Sequence, residues 1–389
     1  MKKDLTSNNA IRPIHQEVFD NRKKKGKPLW IKWIFCLIPA VVGLGLYYIL
    51  PSFPKFTEYV FARGIFRILA FPYEWLMSII PFSVTEIVVI LCIPAILTLI
   101  VVWVVKIIIK ENKKQVVEKG FRFVAWCLSL MLLIFMLMDG VNFNRLSVGE
   151  LLELPNKQYT KDDLFFVTKD LAQKASLARE KLRVDEDGCV ILSENRGDIL
   201  KKADNCYRNL QKEYPFLKVS TFRVKSVLLS HCWSYTGITG VYCPWLGEAN
   251  VNTDVPDSTL CHTAAHEVAH TMGFAKENEC NFLGWLACSV SDSPDYVYSG
   301  YLQAYVYCSN ALYKADKKLW KEAYLCCSQG VIRDLRQNNE YWDSFKGEVM
   351  DTSQTVNDTF IKVNGVESGI LSYDQMVELM LRYYDKFYN

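Results

Sequence analysis

Three long runs of apolar residues dominate the first third of the chain. They cover about residues 29–50, 87–109 and 121–138. At about 1.5 Å per helical residue, the first run is roughly 33 Å long, enough to cross the hydrocarbon core of a bilayer. The N-terminus lacks a short apolar core followed by a small-residue cleavage site, so we expect uncleaved anchors. The pattern predicts a membrane domain over residues 29–138 with three transmembrane helices.

The basic residues around these runs predict their orientation. Residues 1–28 carry eight Lys and Arg and residues 110–122 carry five, whereas the longer connection 51–85 carries three. Basic loops are retained in the cytoplasm, so residues 1–28 form a basic cytoplasmic tail and residues 139–389 lie outside. The net charge of +3 largely reflects this pattern. Because no basic patch marks the remaining chain, no nucleic acid is expected as a partner.

The connection between the first two runs is itself rich in apolar residues. Its part from 56 to 80 mixes charged side chains with many aromatic and aliphatic ones. This composition fits an amphipathic helix lying on the outer membrane surface. A segment packed on the folded outer domain fits equally well, and the sequence leaves both interpretations open.

The cysteines leave a second question open. Ten of the 13 follow residue 139, in the part expected to lie outside the cytoplasm. An even number there permits disulfides in an oxidising compartment. Buried reduced thiols are the alternative, and spacing alone does not decide between the two.

Helical and extended patterns alternate in the outer part. A helix of about five turns is predicted from Thr160, and a second from after Ser193 to Tyr214, where Pro215 ends it. Residues 219–230 and 237–253 are rich in β-branched residues and glycines, which indicates two or three strands. From about residue 258 the helical pattern continues to the C-terminus. This order predicts an α+β fold, mostly helical with a small sheet.

The sequence HEVAH carries the clearest chemical signal. His266 and His270 lie four residues apart, so a helix presents both imidazoles on one face to a single Zn²⁺. Glu267 is placed to act as the general base for a zinc-activated water. Apolar and small neighbours predict a buried helix, whereas an exposed helix would match the motif by chance. His262 continues the spacing, but three successive turns spread over roughly 12 Å, so we expect a supporting role for it.

The residues at the end of this helix restrict which class of zinc site the chain can form. Gly273 can adopt a left-handed conformation that ends the helix and turns the chain back. A glycine at this position also occurs in the metzincin pattern, which then requires a histidine where this chain has Lys276. The simple metzincin assignment is therefore excluded, and the third ligand must lie elsewhere.

The next stretch, ENECNFLGWLAC, resembles the glutamate helix of gluzincin peptidases. In those enzymes a ligating glutamate is followed four residues later by Asp or Asn, and here the pair is Glu277 and Asn281. The resemblance implies that Glu277 is the third zinc ligand and that Asn281 holds a ligating histidine in place. Glu279 is the fallback ligand.

The whole chain resembles an uncharacterised, domain-of-unknown-function family of bacterial membrane proteins with three N-terminal spans and an external HExxH domain. The motifs that carry this resemblance are GEANVN at 247–252, HEVAH at 266–270, ENECNF at 277–282 and GILSYDQMV at 369–377. The resemblance implies a zincin-like, zinc-peptidase domain with no established substrate.

The strand GEANVN precedes the HEVAH helix, where zinc peptidases keep an exposed edge that pairs with substrate. Asn250 and Asn252 would then face one side of the strand and contact the substrate. An ordinary structural strand whose asparagines bind a loop is the alternative.

These features predict a membrane-anchored zinc metallopeptidase of the bacterial cytoplasmic membrane that hydrolyses peptides or proteins outside the cytoplasm. Its expected partners are the lipid bilayer and a peptide substrate. A non-catalytic module that binds zinc or a partner on a peptidase-like fold is the alternative. An intramembrane protease is disfavoured, because residues 257–282 carry too many polar groups to cross lipid.

Overall fold

The computed structural model describes residues 28–220, 223–363 and 373–388. Nearly all of the expected basic tail, residues 1–27, lies outside the described residues, as does the first part of the motif GILSYDQMV. The described chain is mostly helical with two small sheets, which confirms the coarse fold prediction.

Three helices are long and apolar enough to cross a membrane, as predicted. Apolar helix 1 covers Leu29–Ile49, apolar helix 2 covers Val84–Ile109 and apolar helix 3 covers Lys113–Met138. The last two begin earlier than their apolar runs because Ser83 and Asn112 cap them. Their side chains accept hydrogen bonds from backbone N–H groups three residues later.

Apolar helix 3 contacts both of the others. A Cβ at Gly43 of apolar helix 1 would lie 3.3 Å from Met136, so the two backbones approach closely there. Trp103 of apolar helix 2 packs on Phe121 and donates a hydrogen bond to the Val116 carbonyl at 3.3 Å. The three helices thus form one connected unit.

A helical segment that changes between α-helix and π-helix joins apolar helices 1 and 2, and we call it the amphipathic segment. It consists of a short helix Pro54–Phe56, a π-helix Thr57–Phe66 and an α-helix Arg67–Ile79. One side is buried against the rest of the protein, through Phe66 and Ala70 among others. The opposite side exposes large apolar side chains, so packing on the folded domain explains only half of the segment.

The described residues from 139 to 388 form a mainly helical C-terminal domain. The predicted helix at Thr160 is confirmed, because the Thr160 side chain caps it together with Asp163. The predicted helix from Ser193 to Tyr214 is wrong as one element, since a turn at residues 202–204 divides it. The helices are Val148–Leu151, Lys161–Arg179, Arg196–Lys201, Asn205–Glu213, Ser230–Ser234, Asp257–Thr271, Glu277–Ser289, Pro294–Ala315, Lys317–Tyr324, Gln329–Asp343, Glu348–Val363 and Tyr373–Phe387.

Five short strands form two sheets. β1 (Arg183–Val184) and β2 (Val190–Ile191) make an antiparallel pair. The second sheet has the order β3–β5–β4, with β3 at Lys225–Ser226, β4 at Gly240–Cys243 and β5 at Glu248–Val251. β3 runs parallel to β5, and β4 runs antiparallel to it.

This order corrects one expectation from the sequence. GEANVN contains β5, which is the central strand and not an exposed edge. Strand order depends on how the chain folds back, which the local pattern does not carry. The two edge strands are β3 and β4, and the outer side of β4 pairs with no strand among the described residues.

The core of the C-terminal domain surrounds the helix Asp257–Thr271, which we call the motif helix. It packs on β5 and β4 on one side and on the helices Glu277–Ser289 and Pro294–Ala315 on the other. The first of these partners is called the glutamate helix below. All thirteen cysteines lie among the described residues and are free thiols. Of the two alternatives left open by the sequence, disulfides and reduced thiols, the structure therefore contains reduced thiols.

Candidate metal centre

The motif helix presents His266 and His270 on one face, one turn apart. Both are nearly buried, at 8% and 9% exposure. The helix ends at Thr271, and Gly273 follows with φ of +79°, a conformation that favours glycine. A Cβ at Gly273 would lie 2.9 Å from the Phe66 ring, so the amphipathic segment also requires glycine there. The chain then turns back toward the imidazoles.

Glu277 is the first residue of the glutamate helix and completes a group of three. Its Oε2 lies 3.1 Å from Nε2 of His266, and its Oε1 lies 3.6 Å from Nε2 of His270. The two Nε2 atoms are 3.1 Å apart. One donor atom from each side chain lies within 4.8 Å of the others, the only such group of three among the described residues.

Hydrogen bonds on the far side of each ring fix where the imidazole protons lie. His266 Nδ1 is 2.8 Å from Oδ1 of Asn281, and His270 Nδ1 is 2.8 Å from the carbonyl of Phe274. Both partners are oxygens that accept, so each neutral ring carries its proton on Nδ1. The two Nε2 lone pairs therefore face each other and a carboxylate. Three electron-pair donors at this range are mutually unfavourable unless a cation or protons lie between them.

The pKa values of the three residues also reflect how close their side chains are to one another. Burial lowers the pKa of His270 to about 4. For His266, burial also lowers the pKa, but the Glu277 carboxylate outweighs it and the net shift is upward. Burial would raise the pKa of Glu277, yet the two imidazoles bring it down to about 2. Glu277 thus stays ionised, and 37% of its side chain is exposed, so the group opens to solvent on this side.

Glu267 lies beside the group, buried to 3% exposure. Its Oε2 has no hydrogen-bond partner in the described part of the chain. Burial raises its pKa to about 8, and the Glu277 charge adds to that shift, whereas His266 opposes it. A Cβ at Gly240 would lie 2.8 Å from Cδ of Glu267, so β4 passes directly over this carboxylate. A buried, unpartnered oxygen beside three donor atoms is placed to bind a water or a reacting group.

The remaining residues singled out in this part of the chain lie outside the group of three. Glu279 points away from the imidazoles, and its Oε1 accepts a hydrogen bond from the Val148 N–H at 3.2 Å. It caps the short helix Val148–Leu151 and offers no fallback ligand here. His262 is buried, with Nε2 3.2 Å from the Asn281 carbonyl. It supports the residue that holds His266.

Asn250 and Asn252 do not reach the surface. Both are 0% exposed. The Asn252 amide donates to Ser234 Oγ at 2.9 Å and to the Ile238 carbonyl at 3.1 Å. The Asn250 amide donates to Thr85 Oγ1 at 3.2 Å. The expectation that they contact substrate is therefore wrong, because β5 is interior and its asparagines join neighbouring loops and apolar helix 2.

Two nearby residues were missed from the sequence. The Tyr242 ring, on β4, stacks on His270 at 6.2 Å between centroids. Asp139 directly follows apolar helix 3. Burial raises the pKa of Asp139 to about 7, and the Glu277 charge adds to that shift. An acid at the end of a long apolar run is a signal that could have identified Asp139. Tyr242 has no comparable signal.

The donor set fits zinc. Two neutral imidazole nitrogens and one carboxylate are ligands that catalytic Zn²⁺ sites use, with a fourth position left open. Zn–N distances of about 2.0–2.1 Å place two ligands of a tetrahedron roughly 3.3–3.4 Å apart. The observed separations of 3.1, 3.1 and 3.6 Å lie around this value. Hydrogen bonds from Nδ1 to Asn281 and Phe274 are the outer partners that orient ligating histidines.

Comparison with known proteins identifies a family whose function is unknown. The family model "Protein of unknown function (DUF3810)" matches residues 61–381. No curated protein and no solved structure matches the chain significantly. The match begins in the amphipathic segment and includes apolar helices 2 and 3 with nearly all of the C-terminal domain.

Proposed function

The chain belongs to the DUF3810 family, and we propose that it is a membrane-anchored zinc metallopeptidase. The observation that carries the proposal is the convergence of three donor atoms, from His266, His270 and Glu277, beside the unpartnered Oε2 of Glu267. A bound Zn²⁺ would supply Lewis-acid chemistry, polarising the peptide carbonyl and lowering the pKa of water.

The protein's own residues would then move the proton. With Zn²⁺ bound, whose charge favours the ionised form of Glu267, the free oxygen of this carboxylate would accept a proton from the attacking water and deliver it to the leaving amine. The hydroxyl of the water joins the carbonyl carbon as the C–N bond breaks, so hydrolysis is balanced without another reactant. Asn281 and the Phe274 carbonyl hold both imidazoles with Nε2 toward the site.

β4 supplies a place for an extended substrate. The Asn252 N–H donates to the Thr239 carbonyl, so the alternation of the antiparallel ladder directs the N–H and C=O of Gly240 and Tyr242 away from β5. These groups lie beside Glu267 and His270. A peptide pairing with them would have its backbone at the site. A mixed sheet with an antiparallel edge strand above a zinc-binding helix is an arrangement that supports a zincin-like fold.

The charge pattern supports the orientation. If the basic segments 1–28 and 110–122 are cytoplasmic, the three apolar helices place the C-terminal domain and its site outside the cytoplasm. The substrate is then an extracytoplasmic protein or peptide.

The test uses the full-length protein purified in detergent, with Glu267→Gln as the matched variant. We expect about one zinc per chain in both forms, because Glu267 is not a ligand. Hydrolysis of unfolded casein should fall by about 10²–10⁴-fold in the variant, the usual contribution of a general base. A wild-type protein without bound zinc, or a variant that cleaves as fast, would contradict the proposal. Zinc in both forms with hydrolysis in neither would favour a non-catalytic zinc-binding module.

A further inference from the structure

The strand that passes the site continues toward the apolar helices. β4 leads from Gly240, beside Glu267, to Cys243 and into a turn at residues 244–247. In this turn the Trp245 indole N–H donates to the Met131 carbonyl of apolar helix 3 at 3.1 Å. Its ring lies 6.0 Å from that of Phe135 on the same helix. Met131 precedes the end of the helix by seven residues, which corresponds to about 10 Å along its axis.

This contact gives the depth of the turn. The apolar run of helix 3 ends at Met138, so if this helix spans the bilayer, a residue about 10 Å before that end lies within the nearer leaflet. Tryptophan is enriched at this level, where its ring is in lipid and its N–H finds a polar partner. The turn after β4 then lies at the level of the membrane, and the start of β4 lies at the site. Trp245 follows Gly240 by five positions, at most roughly 17 Å if the chain were fully extended.

The start of apolar helix 2 is also bound to the sheet and to the loop after β3. The Glu248 carboxylate, on β5, accepts hydrogen bonds from the N–H groups of Val84 at 3.0 Å and Thr85 at 2.6 Å. The Glu86 carboxylate, within that helix, accepts from the Leu228 N–H at 2.8 Å. Leu228 is 83% exposed, an apolar tip next to the beginning of a membrane helix.

The amphipathic segment provides a third apolar surface. Its exposed face carries large side chains at helical spacing, namely Ile68, Phe71, Trp75 and Ile79. The buried face of the same segment contacts the turn after the motif helix, through Phe66 and Gly273. An apolar face of this kind is buried in the membrane interface in amphipathic helices that lie on bilayers. The site consequently lies directly above the bilayer and is held there from several sides.

We propose that the substrate is a polypeptide anchored in the same membrane by a segment N-terminal to the bond that is cleaved. The proposal rests on the proposed peptidase function and specifies its substrate. A chain leaving the bilayer beside Trp245 lies next to the outer side of β4, which pairs with no strand in the described part of the chain. Antiparallel pairing is the more stable arrangement, and a partner antiparallel to β4 runs from the membrane toward Gly240. Its N-terminal side is then the anchored side.

The geometry sets the position of the cleaved bond. From the leaflet to Gly240, an extended partner needs about five residues, so cleavage falls within roughly ten residues of the end of the anchor. A shared membrane also raises the effective concentration of the substrate at the site, into the millimolar range for short tethers. A soluble chain has neither advantage.

The experiment compares three forms of unfolded casein with the full-length protein in zinc-loaded vesicles. One casein carries an N-terminal transmembrane helix in the same vesicles, one carries the helix at its C-terminus, and one is free. Cut positions are mapped by mass spectrometry, and Glu267→Gln is the inactive control. We expect cuts within about ten residues of the N-terminal anchor, and at least tenfold faster cleavage there than in the same sequence of free casein.

The outcomes separate the two proposals. Cuts near the C-terminal anchor alone, cuts spread along the tethered chain, or equal rates for tethered and free casein would overturn the inference while leaving the peptidase function intact. Cleavage of none of the three caseins, or equal cleavage by Glu267→Gln, would overturn the peptidase function and the inference together. In detergent, where enzyme and substrate share no membrane, the rate advantage should disappear but the preference for cuts near the N-terminal anchor should remain.

Discussion

Substitution of Gly240 by alanine should impair catalysis without removing the metal. A Cβ at this position would lie 2.8 Å from Cδ and 2.9 Å from Cγ of Glu267, and closer still to its Oε1. Carbon atoms in favourable contact are about 3.5–4.0 Å apart, so the carboxylate or β4 must move by about 1 Å. Glu267 is buried, so its carboxylate cannot move out into solvent and has to shift within the site.

The expected loss follows from that displacement. A misplacement of about 1 Å in catalytic geometry costs on the order of 10²-fold in rate, equivalent to about 2.7 kcal/mol of transition-state stabilisation. Since His266, His270 and Glu277 are untouched, zinc content should remain that of the wild type. Gly347→Ala is the matched control, because a Cβ there meets no atom within 4 Å.

The assay is hydrolysis of unfolded casein by the full-length protein, with zinc measured on the same samples. Thermal unfolding of each variant tests for a general loss of folding. If Gly240→Ala cleaved casein as fast as Gly347→Ala, β4 would not approach Glu267 as described, and the placement of a substrate along its edge would be refuted. A loss of zinc together with activity would also contradict the reasoning, since it would show damage to the ligands.

Three further predictions concern the support of the site. Asn281→Ala removes the acceptor for His266 Nδ1 and should weaken zinc binding about 10–100-fold, measured by chelator competition. Glu58→Ala leaves the buried Arg145 guanidinium without its carboxylate and should lower the free energy of unfolding by about 3–5 kcal/mol, measured by denaturant titration. Burial alone would raise the pKa of Glu58, but Arg145 and Arg63 outweigh it and lower the pKa. The stabilisation that the ionised Glu58 provides is therefore complete above its unfolded-state pKa, and it is lost as the pH falls through its lower folded-state pKa. Acidification should consequently destabilise the wild type more than Glu58→Ala.

The sequence predicted the parts of the site that depend on local periodicity. The spacing of His266 and His270 requires only a helix, and the same rule relates Glu277 to Asn281. Residues brought in from distant parts of the chain were not predictable in this way. Gly240 reaches Glu267 only because β4 folds back along β5. Asn250 and Asn252 were expected to be exposed because the sequence does not show that β5 is the central strand. Periodicity describes the face of an element but not its neighbours.

The short connection between the second histidine and the glutamate is explained by a contact that no local pattern contains. Only six residues separate His270 from Glu277, so the turn after the motif helix must be tight. The Arg145 guanidinium holds it by donating to the carbonyls of Met272 at 3.1 Å and Gly273 at 2.8 Å. It also lies 4.1 Å from the centre of the Phe274 ring, whose residue accepts from His270.

Arg145 is in turn held by the amphipathic segment. Its Nε donates to Glu58 at 2.8 Å, and both side chains are almost fully buried. A buried guanidinium without this partner would be strongly unfavourable, so the turn depends on a carboxylate from the membrane-side part of the chain. The amphipathic segment is thus part of the structure that brings Glu277 to the imidazoles. A C-terminal domain separated from the apolar helices would lack Glu58, and for this reason the chemistry has to be measured on the full chain.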